Sequence, residues 1–340
     1  MKLQSGYAFT LLLLLAGCGG GSGDSSESTT KFSLAISDAP VDGAQKVCIA
    51  VSSLRLKQEG VSAETTWSHL DLLPTTNDDG CLPTGYTIPV DSNGDPEFLY
   101  LDLLKYQDGE KHALLSNATI ASGTYEQLRL MVEDGRTNNL DGSPAHPTSY
   151  VKEQDGTDKA LEVPSSELKL HSFIAPLSGV LDYQLEFNLR HAMVLPGHEE
   201  YYKLKPNGVK LLDVKVLSTI QGTVNSSYCS GNLTNAGVYL YSSDDVTPPY
   251  LGIDYDTTSG GPVLTSLVTT TNGVSSYQLN YVEPSTYDVV LVCNAAEDAV
   301  TEDGTSTFVP ITETIIEGVQ APSSAGSSSI IVDFETPPPV

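Results

Sequence analysis

Beyond residue 31, apolar side chains do not recur every 3.6 positions over any dozen residues. They come instead in short alternating runs that stop at Gly, Pro, Asn or Asp. That pattern cannot present one stripe of a helix, but it buries one face of a strand at every second residue. The chain is therefore expected to be all-β. Strands are predicted at Phe32 to Ile36, Val47 to Val51, Thr87 to Val90, Phe98 to Leu103, Gln127 to Glu133 and Tyr183 to Leu189. The shift of apolar phase from Val51 to Leu54 implies a bulge near Ser52 and Ser53. Tyr150 to Gln154 and Lys159 to Val163 flank Asp155-Gly156, a hairpin signal. Short helical turns are expected near Ala113 to Ser116 or Ser165 to Leu168.

A second set of runs follows Ser218: Ile220 to Val224, Gly237 to Tyr241, Leu264 to Thr270, Ser276 to Leu279, Tyr287 to Cys293, Phe308 to Thr314 and Ile330 to Phe334. Their spacing is that of a sandwich. Charge changes at the same place. Of the formal −26, residues 1–215 carry −12, whereas residues 216–340 hold 14 acidic side chains and no Lys, Arg or His. Two β-sandwich-like domains in tandem are expected, 32–217 and 218–336, with a tail at 337–340. So acidic a chain has no generic grip on nucleic acid or anionic headgroups. The second domain also lacks the usual proton shuttles and cationic stabilisers of acyl or phosphoryl transfer.

The first residues give an address. Lys2 precedes an apolar stretch from Ala8 to Ala16, too short to span a bilayer, and small residues follow it. Leu15-Ala16-Gly17-Cys18 resembles the bacterial lipobox, which makes 1–17 a lipoprotein signal peptide and Cys18 the lipidated residue. The other reading is a cleaved signal followed by a chance cysteine. Residues 18–31 form a Gly/Ser-rich tether with nothing to bury. Gly19, where enteric-type lipoproteins retained at the inner membrane have Asp, favours the outer membrane, on either side. Lipidation leaves four cysteines, none in a CxxC pair; in an oxidising compartment the pairs expected within each domain are Cys48–Cys81 and Cys229–Cys293, free thiols being the alternative.

Several motifs carry a resemblance. Ser37-Asp38-Ala39-Pro40, Leu101-Asp102-Leu103-Leu104, Gln107-Asp108-Gly109, the run Ile120 to Leu130, Pro164 to Leu168 and Tyr202 to Pro206 resemble a domain-of-unknown-function family of bacterial lipoproteins, numbered 4382. The resemblance implies fold and location and brings no activity. Where that family has an Asp-rich turn, this chain has Phe187-Asn188-Leu189-Arg190. The second segment, with Ile220 to Val224, Ala236 to Tyr241 and Pro284-Ser285-Thr286-Tyr287, is similar to carboxypeptidase-regulatory, transthyretin-like sandwiches, a superfamily that includes carbohydrate-binding modules.

Catalytic motifs are absent: there is no GxSxG, no P-loop and no HExxH, and His198-Glu199-Glu200 lacks a second histidine. His69, His112, His146, His171, His191 and His198 are scattered, and Asp254 and Asp256 read as a solvated acidic face. One ligand pattern stands out. Asp91, Asn93 and Asp95 alternate as in a calcium loop, with Asp102 at the twelfth place, although Pro96 stands where such loops need Gly. Trp67, the sole tryptophan, reads as core. The function expected is a lipid-anchored envelope binding, adhesion or scaffold protein without catalysis, whose partner beyond the membrane is a carbohydrate or an envelope protein. No cofactor other than calcium is expected. The alternative is a glycan or polymer hydrolase working through acidic residues. Cys18→Ala should release the protein from the membrane fraction; a variant that still partitions into detergent like the native chain would contradict lipidation there.

Overall fold

A computed structural model describes residues 28–39, 44–73, 77–107, 109–196, 200–244, 249–253, 260–298, 308–322 and 328–335. Cys18, His198, Asp254 and Asp256 lie outside them. Two sandwiches follow one another, and among the described residues no strand pairing crosses Leu217.

In the first sandwich the strand Thr29–Ala39 turns Phe32, Leu34 and Ile36 inward, each at most 1% exposed. It pairs in parallel with Val180–Asn188 and antiparallel with His112–Ala121, and Val209–Asp213 completes a four-stranded sheet. The facing sheet has ten strands, organised around Ala44–Gln58. That fifteen-residue strand pairs on one side with Leu99–Asp102 and then Thr65–Ser68, and on the other with Tyr150–Glu153 and then Gly123–Val132. The ladder slips between Val51 and Ser53, so the expected bulge is present. Val47, Ile49 and Val51 enter the main core, while Cys48 and Ala50 face outward into a second, smaller core with Cys81, Phe98, Tyr100, Leu140 and Tyr150. A run apolar on both faces is what this double burial requires. Trp67, on Thr65–Ser68, packs against the main core, and the Tyr150–Glu153 and Asp158–Glu162 strands form the hairpin.

The second sandwich packs the sheet ordered Thr269–Thr271, Val274–Val282, Ser218–Thr223, Ser328–Ile331 onto the sheet ordered Leu264–Leu267, Gly237–Ser242, Ser285–Val292, Thr312–Ala321. Val238, Leu240, Val289 and Leu291 fill its core; Tyr239, Tyr241, Val290 and Val292 point the other way into an outer cluster with Tyr250 and Ile253. Both sandwiches thus bury two faces of one sheet.

Three local expectations are corrected. Thr87 to Val90 is not a strand and makes only isolated bridges, Thr87 to Asp141 and Val90 to Pro96, because the segment serves as a lid on the outer core. Of the two places expected for a short helical turn, the second overlaps the 3-10 turn Pro164–Ser166, whereas Ala113 to Ser116 is strand, with its apolar pair Leu114 and Leu115 buried in the main core. The strand expected at Phe308 to Thr314 runs over Thr312–Ala321, its ladder to Ser285–Val292 carrying two irregularities.

Both cysteine pairs are disulfides, Cys48–Cys81 and Cys229–Cys293, closing separations of 33 and 64 residues. Loop-closure entropy predicts that removing each, by paired Cys→Ala, costs about 4 kcal/mol in denaturant unfolding. Four alkylatable thiols in the purified protein, or a loss near zero, would contradict the assignment.

Candidate functional site at the seam of the sandwiches

Two of the family motifs, Ser37-Asp38 and the segment holding Gln107 and Gly109, meet at the end of the first strand. Ser37 is the register partner of Glu186 and Asp38 that of Phe187, so the two parallel strands carry Ser37, Asp38 and Glu186 to one end of the sheet. All three are almost fully buried. Asp38 accepts from Gln107 Nε2 at 3.1 Å, and its backbone N–H donates to Tyr106 O at 2.8 Å. Gln184 Nε2 donates to Ser37 Oγ. Tyr281 of the second sandwich meets this patch. Its phenol is pushed up by burial while hydrogen bonds with Gln184 and Ser37 oppose the shift, and its hydroxyl donates to Gly109 O at 3.4 Å. Tyr281 has φ +59°, a conformation disfavoured for a bulky side chain, at a register slip where Ser218 pairs with Val282 but Ile220 with Leu279. The bulge aims the ring across the seam.

Three residues after Glu186 the chain makes the one α-helical turn among the described residues, Leu189–Ala192, whose entry is capped by Asn188 Oδ1 accepting from the His191 backbone N–H at 3.3 Å. The turn delivers Arg190 into the second sandwich. Arg190 is 6% exposed, and its Nη2 donates to Ala295 O at 2.7 Å and Asp298 O at 3.2 Å. Beside it, His191 Nδ1–H donates to Ile253 O at 2.8 Å. Asp298, itself buried, accepts from Tyr239 Oη at 2.8 Å and the Ile253 N–H at 3.0 Å. Gly252 permits this approach, because a Cβ there would lie 2.7 Å from both Asp298 Oδ1 and Phe308. The region of departure from the family's Asp-rich turn is therefore where the first sandwich supplies a cation to a partner that has none.

Burial pushes the Glu186 carboxyl up to about 8, Lys210 opposes, and Glu283 across the seam adds to the rise. Lys210 is its neighbour on Val209–Asp213. Neither Arg190 nor Tyr281 stood out as a site residue in the sequence. The signal for Arg190 was its position as the last arginine before an acid-only segment; Tyr281 carried none.

The calcium pattern is dispersed. Asp91 Oδ1 accepts from the backbone N–H groups of Asn93 at 2.7 Å and Asp95 at 3.0 Å, and bonds from Asp95 and Asn93 hold its carboxyl below the usual carboxylate range. This is a tight turn with Gly94 at φ +88°. Asp102 lies elsewhere, buried on Leu99–Asp102, where its Oδ1 accepts from the Val47 N–H at 3.3 Å. Among the described residues the one close group of metal-ligating side chains is Cys229, Cys293 and Glu313, and its sulfurs are joined to each other.

Three histidines are bonded to carbonyls and a carboxylate, His112 with Leu73 O at 3.1 Å, His146 with Pro147 O and Asp158, and His191 at the seam, while His69 Nε2 is buried without a hydrogen-bond partner. None of these partners is a Ser, Thr or Cys side chain. Two of the grooves open to solvent are lined by described residues. One, about 290 Å³, crosses the four-stranded sheet between Ser33, Ala35, Ala113 and Ser116, with Lys111 and Asp182 on its walls. The other, about 440 Å³, lies between Val224, Val274 and Phe334, with Glu335.

Two tandem sandwiches clasped through buried polar groups define an all-β, two-domain module. The chain belongs to the family Domain of unknown function (DUF4382), whose model matches residues 29–206. No curated protein matches the sequence. Among solved structures it is similar to a candidate adhesin from Bacteroides ovatus, at 8% identity over 96% of this chain and 100% of that one, TM-score 0.21. It is also similar to a candidate cell adhesion protein from Bacteroides fragilis, at 9% identity over 91% and 94%, TM-score 0.21. A candidate polysaccharide-binding protein from Bacteroides thetaiotaomicron matches at 7% over 79% and 78%, TM-score 0.17.

Glu186 holds its proton up to about pH 8 when folded and releases it near the ordinary 4.5 when unfolded. Between those values the native state binds more protons, so the stability this residue allows falls as pH rises, on the order of 3–5 kcal/mol across the window. Glu186→Gln should therefore gain on the native chain in denaturant melts as pH goes from 5 to 9; parallel curves would contradict the assignment.

Proposed function

We propose that the protein is a lipid-anchored binding, adhesion or scaffold module of the cell envelope with no catalysis of its own, held at the outer membrane through Cys18 and recognising a carbohydrate or another envelope protein. The observation that carries this reading is the use made of the buried acids. Asp38, Glu186, Asp288 and Asp298 are each enclosed by the fold rather than presented to a substrate. Asp288 accepts from Ser243 Oγ at 2.6 Å, Tyr250 Oη at 3.0 Å and the Gly318 N–H at 3.1 Å. Glycoside hydrolysis needs two carboxylates facing one another across an open site. Each groove carries one, Asp182 in the first and Glu335 in the second. The second sandwich is read as carboxypeptidase-regulatory-like, with Pro284 leading into the strand Ser285–Val292, whose Asp288 is tied to Tyr250 and Ser243. No described helix is long and apolar enough to cross a membrane, in keeping with anchoring by acyl chains.

The first groove, on a sheet face, combines small side chains with Leu34, Leu115, Tyr183 and Val214 and carries one lysine and one carboxylate, which suits a ligand with an apolar face and a few polar groups. Affinity capture from envelope extracts, run beside a glycan array, should return a specific partner, and Ala113→Trp, at an exposed position in the first groove, should abolish that capture at unchanged thermal stability. Release of reducing ends from any polymer by the purified chain would overturn the non-catalytic reading.

A further inference from the structure

The seam lies at one end of the first sandwich; a different set of residues forms the tip from which the chain's N-terminal part departs. Ser28 O accepts from the Ser122 N–H at 2.8 Å, Thr30 Oγ1 donates to Pro176 O at 2.5 Å, and the Lys31 N–H donates to Gly179 O at 3.0 Å. Three segments therefore meet there: 28–31, the turn near 122, and 173–180. The strand Phe173–Ala175 sends Phe173 and Ala175 into the core, where Phe173 stacks on Tyr125, and so turns Ile174 outward. The loop that follows leaves Leu177 outside as well. Ile174 is 69% exposed, Leu177 77% and Val180 40%, an apolar group on a surface that is otherwise strongly acidic.

Charge at this tip departs from the rest of the molecule. Residues 172–181, 116–125 and 28–30 contain no Asp, Glu, Lys or Arg, in a chain of formal charge −26. The cations beside them are Lys31, the register partner of Val180, with Nζ 2.7 Å from Thr119 Oγ1, and Lys215, whose Nζ donates to Val180 O. Glu27 adjoins Ser28 in sequence, and among the described residues the nearest carboxylates in sequence are Asp182, opposite Ser33, and Glu126, paired with Lys57 at 2.9 Å.

Cys18 stands ten residues before Ser28. A Gly/Ser-rich segment of that length has a root-mean-square span of roughly 16–19 Å and a limit of roughly 35 Å. Acyl chains on Cys18 would hold this tip, and no other end of the molecule, at the bilayer surface.

We propose that the tip formed by Ile174, Leu177 and Val180 rests in the interfacial layer of the membrane that carries the anchor, with Lys31 and Lys215 against headgroup phosphates. The proposal rests on the reading of Cys18 as acylated. Apolar side chains partition into that layer, acids do not, and lysines reach from its edge to phosphate oxygens. The contact fixes the two clasped sandwiches at a set attitude to the bilayer instead of leaving them free on the tether.

The test uses the native acylated protein in vesicles of phosphatidylethanolamine and phosphatidylglycerol, three to one, with a fraction of the acyl chains brominated near the headgroup. Leu177→Trp is compared with Val309→Trp, which is 73% exposed in the second sandwich, each after subtraction of the Trp67 emission of the native chain. Flotation with the vesicles, and quenching at position 177 at least twofold beyond that at 309, is the expected result. Flotation with equal quenching at the two positions overturns the docked tip and leaves the anchor standing. Failure to float overturns the anchor and the docking with it. Dimers in sedimentation that Leu177→Asp dissociates, with no quenching at 177, would assign the patch to a second copy of the chain instead. Ile174→Asp with Leu177→Asp should still float while protection of segment 173–180 from hydrogen exchange falls at least tenfold on the vesicle.

Discussion

A sandwich with fourteen carboxylates and no basic side chain must dispose of the acids it buries without an ion pair of its own. Asp288 is enclosed by two hydroxyls and one backbone N–H, and these neutral donors offset part of its desolvation. Asp298 has two such donors, and the guanidinium of Arg190 enters the same corner from outside, bonded to the Ala295 and Asp298 carbonyls. The outer cluster of Tyr239, Tyr241, Tyr250 and Ile253 is thereby closed by a neighbouring sandwich. A charge borrowed across the seam is what joins the two halves, and Tyr281 on the Ser37 and Gln184 patch is the return contact.

That arrangement governs what the module can do. Inter-domain surfaces within a chain are by default free to move. Here each half inserts a side chain into the other, so the pair presents its grooves in a constant relation. The first strand begins at Thr29, inside the segment 18–31 expected from its composition to be tether. The module's buried titratable group, Glu186, sits where ionisation would set a second charge against Glu283.

How much of this could be read from the sequence depends on how local the determinant is. Alternation in Phe32, Leu34 and Ile36, the phase shift at Ser52, the Asp155-Gly156 turn and the even cysteine count each act over a few residues, and each feature is present in the fold. Thr87 to Val90 alternates too, but its backbone partners are taken by Asp141 and Pro96 in isolated bridges, a tertiary outcome that alternation cannot express. The run Val47 to Val51 declared burial on both faces without saying that the second face was a separate core sealed by Cys48–Cys81. The spacing of Asp91, Asn93, Asp95 and Asp102 depends on the chain wrapping as a loop; a strand carries Asp102 away, and the first three residues close a turn. Arg190 needed both halves in view at once. Its role follows from the absence of cations after Lys215 and from contacts with carbonyls more than a hundred residues downstream.

The clasp itself is tested most directly by differential scanning calorimetry of the full chain at pH 6. One transition is predicted, with calorimetric and van't Hoff enthalpies in agreement, and Arg190→Met should split it into two, the second sandwich melting first. Two transitions in the native chain, or one undivided transition in the variant, would contradict the account.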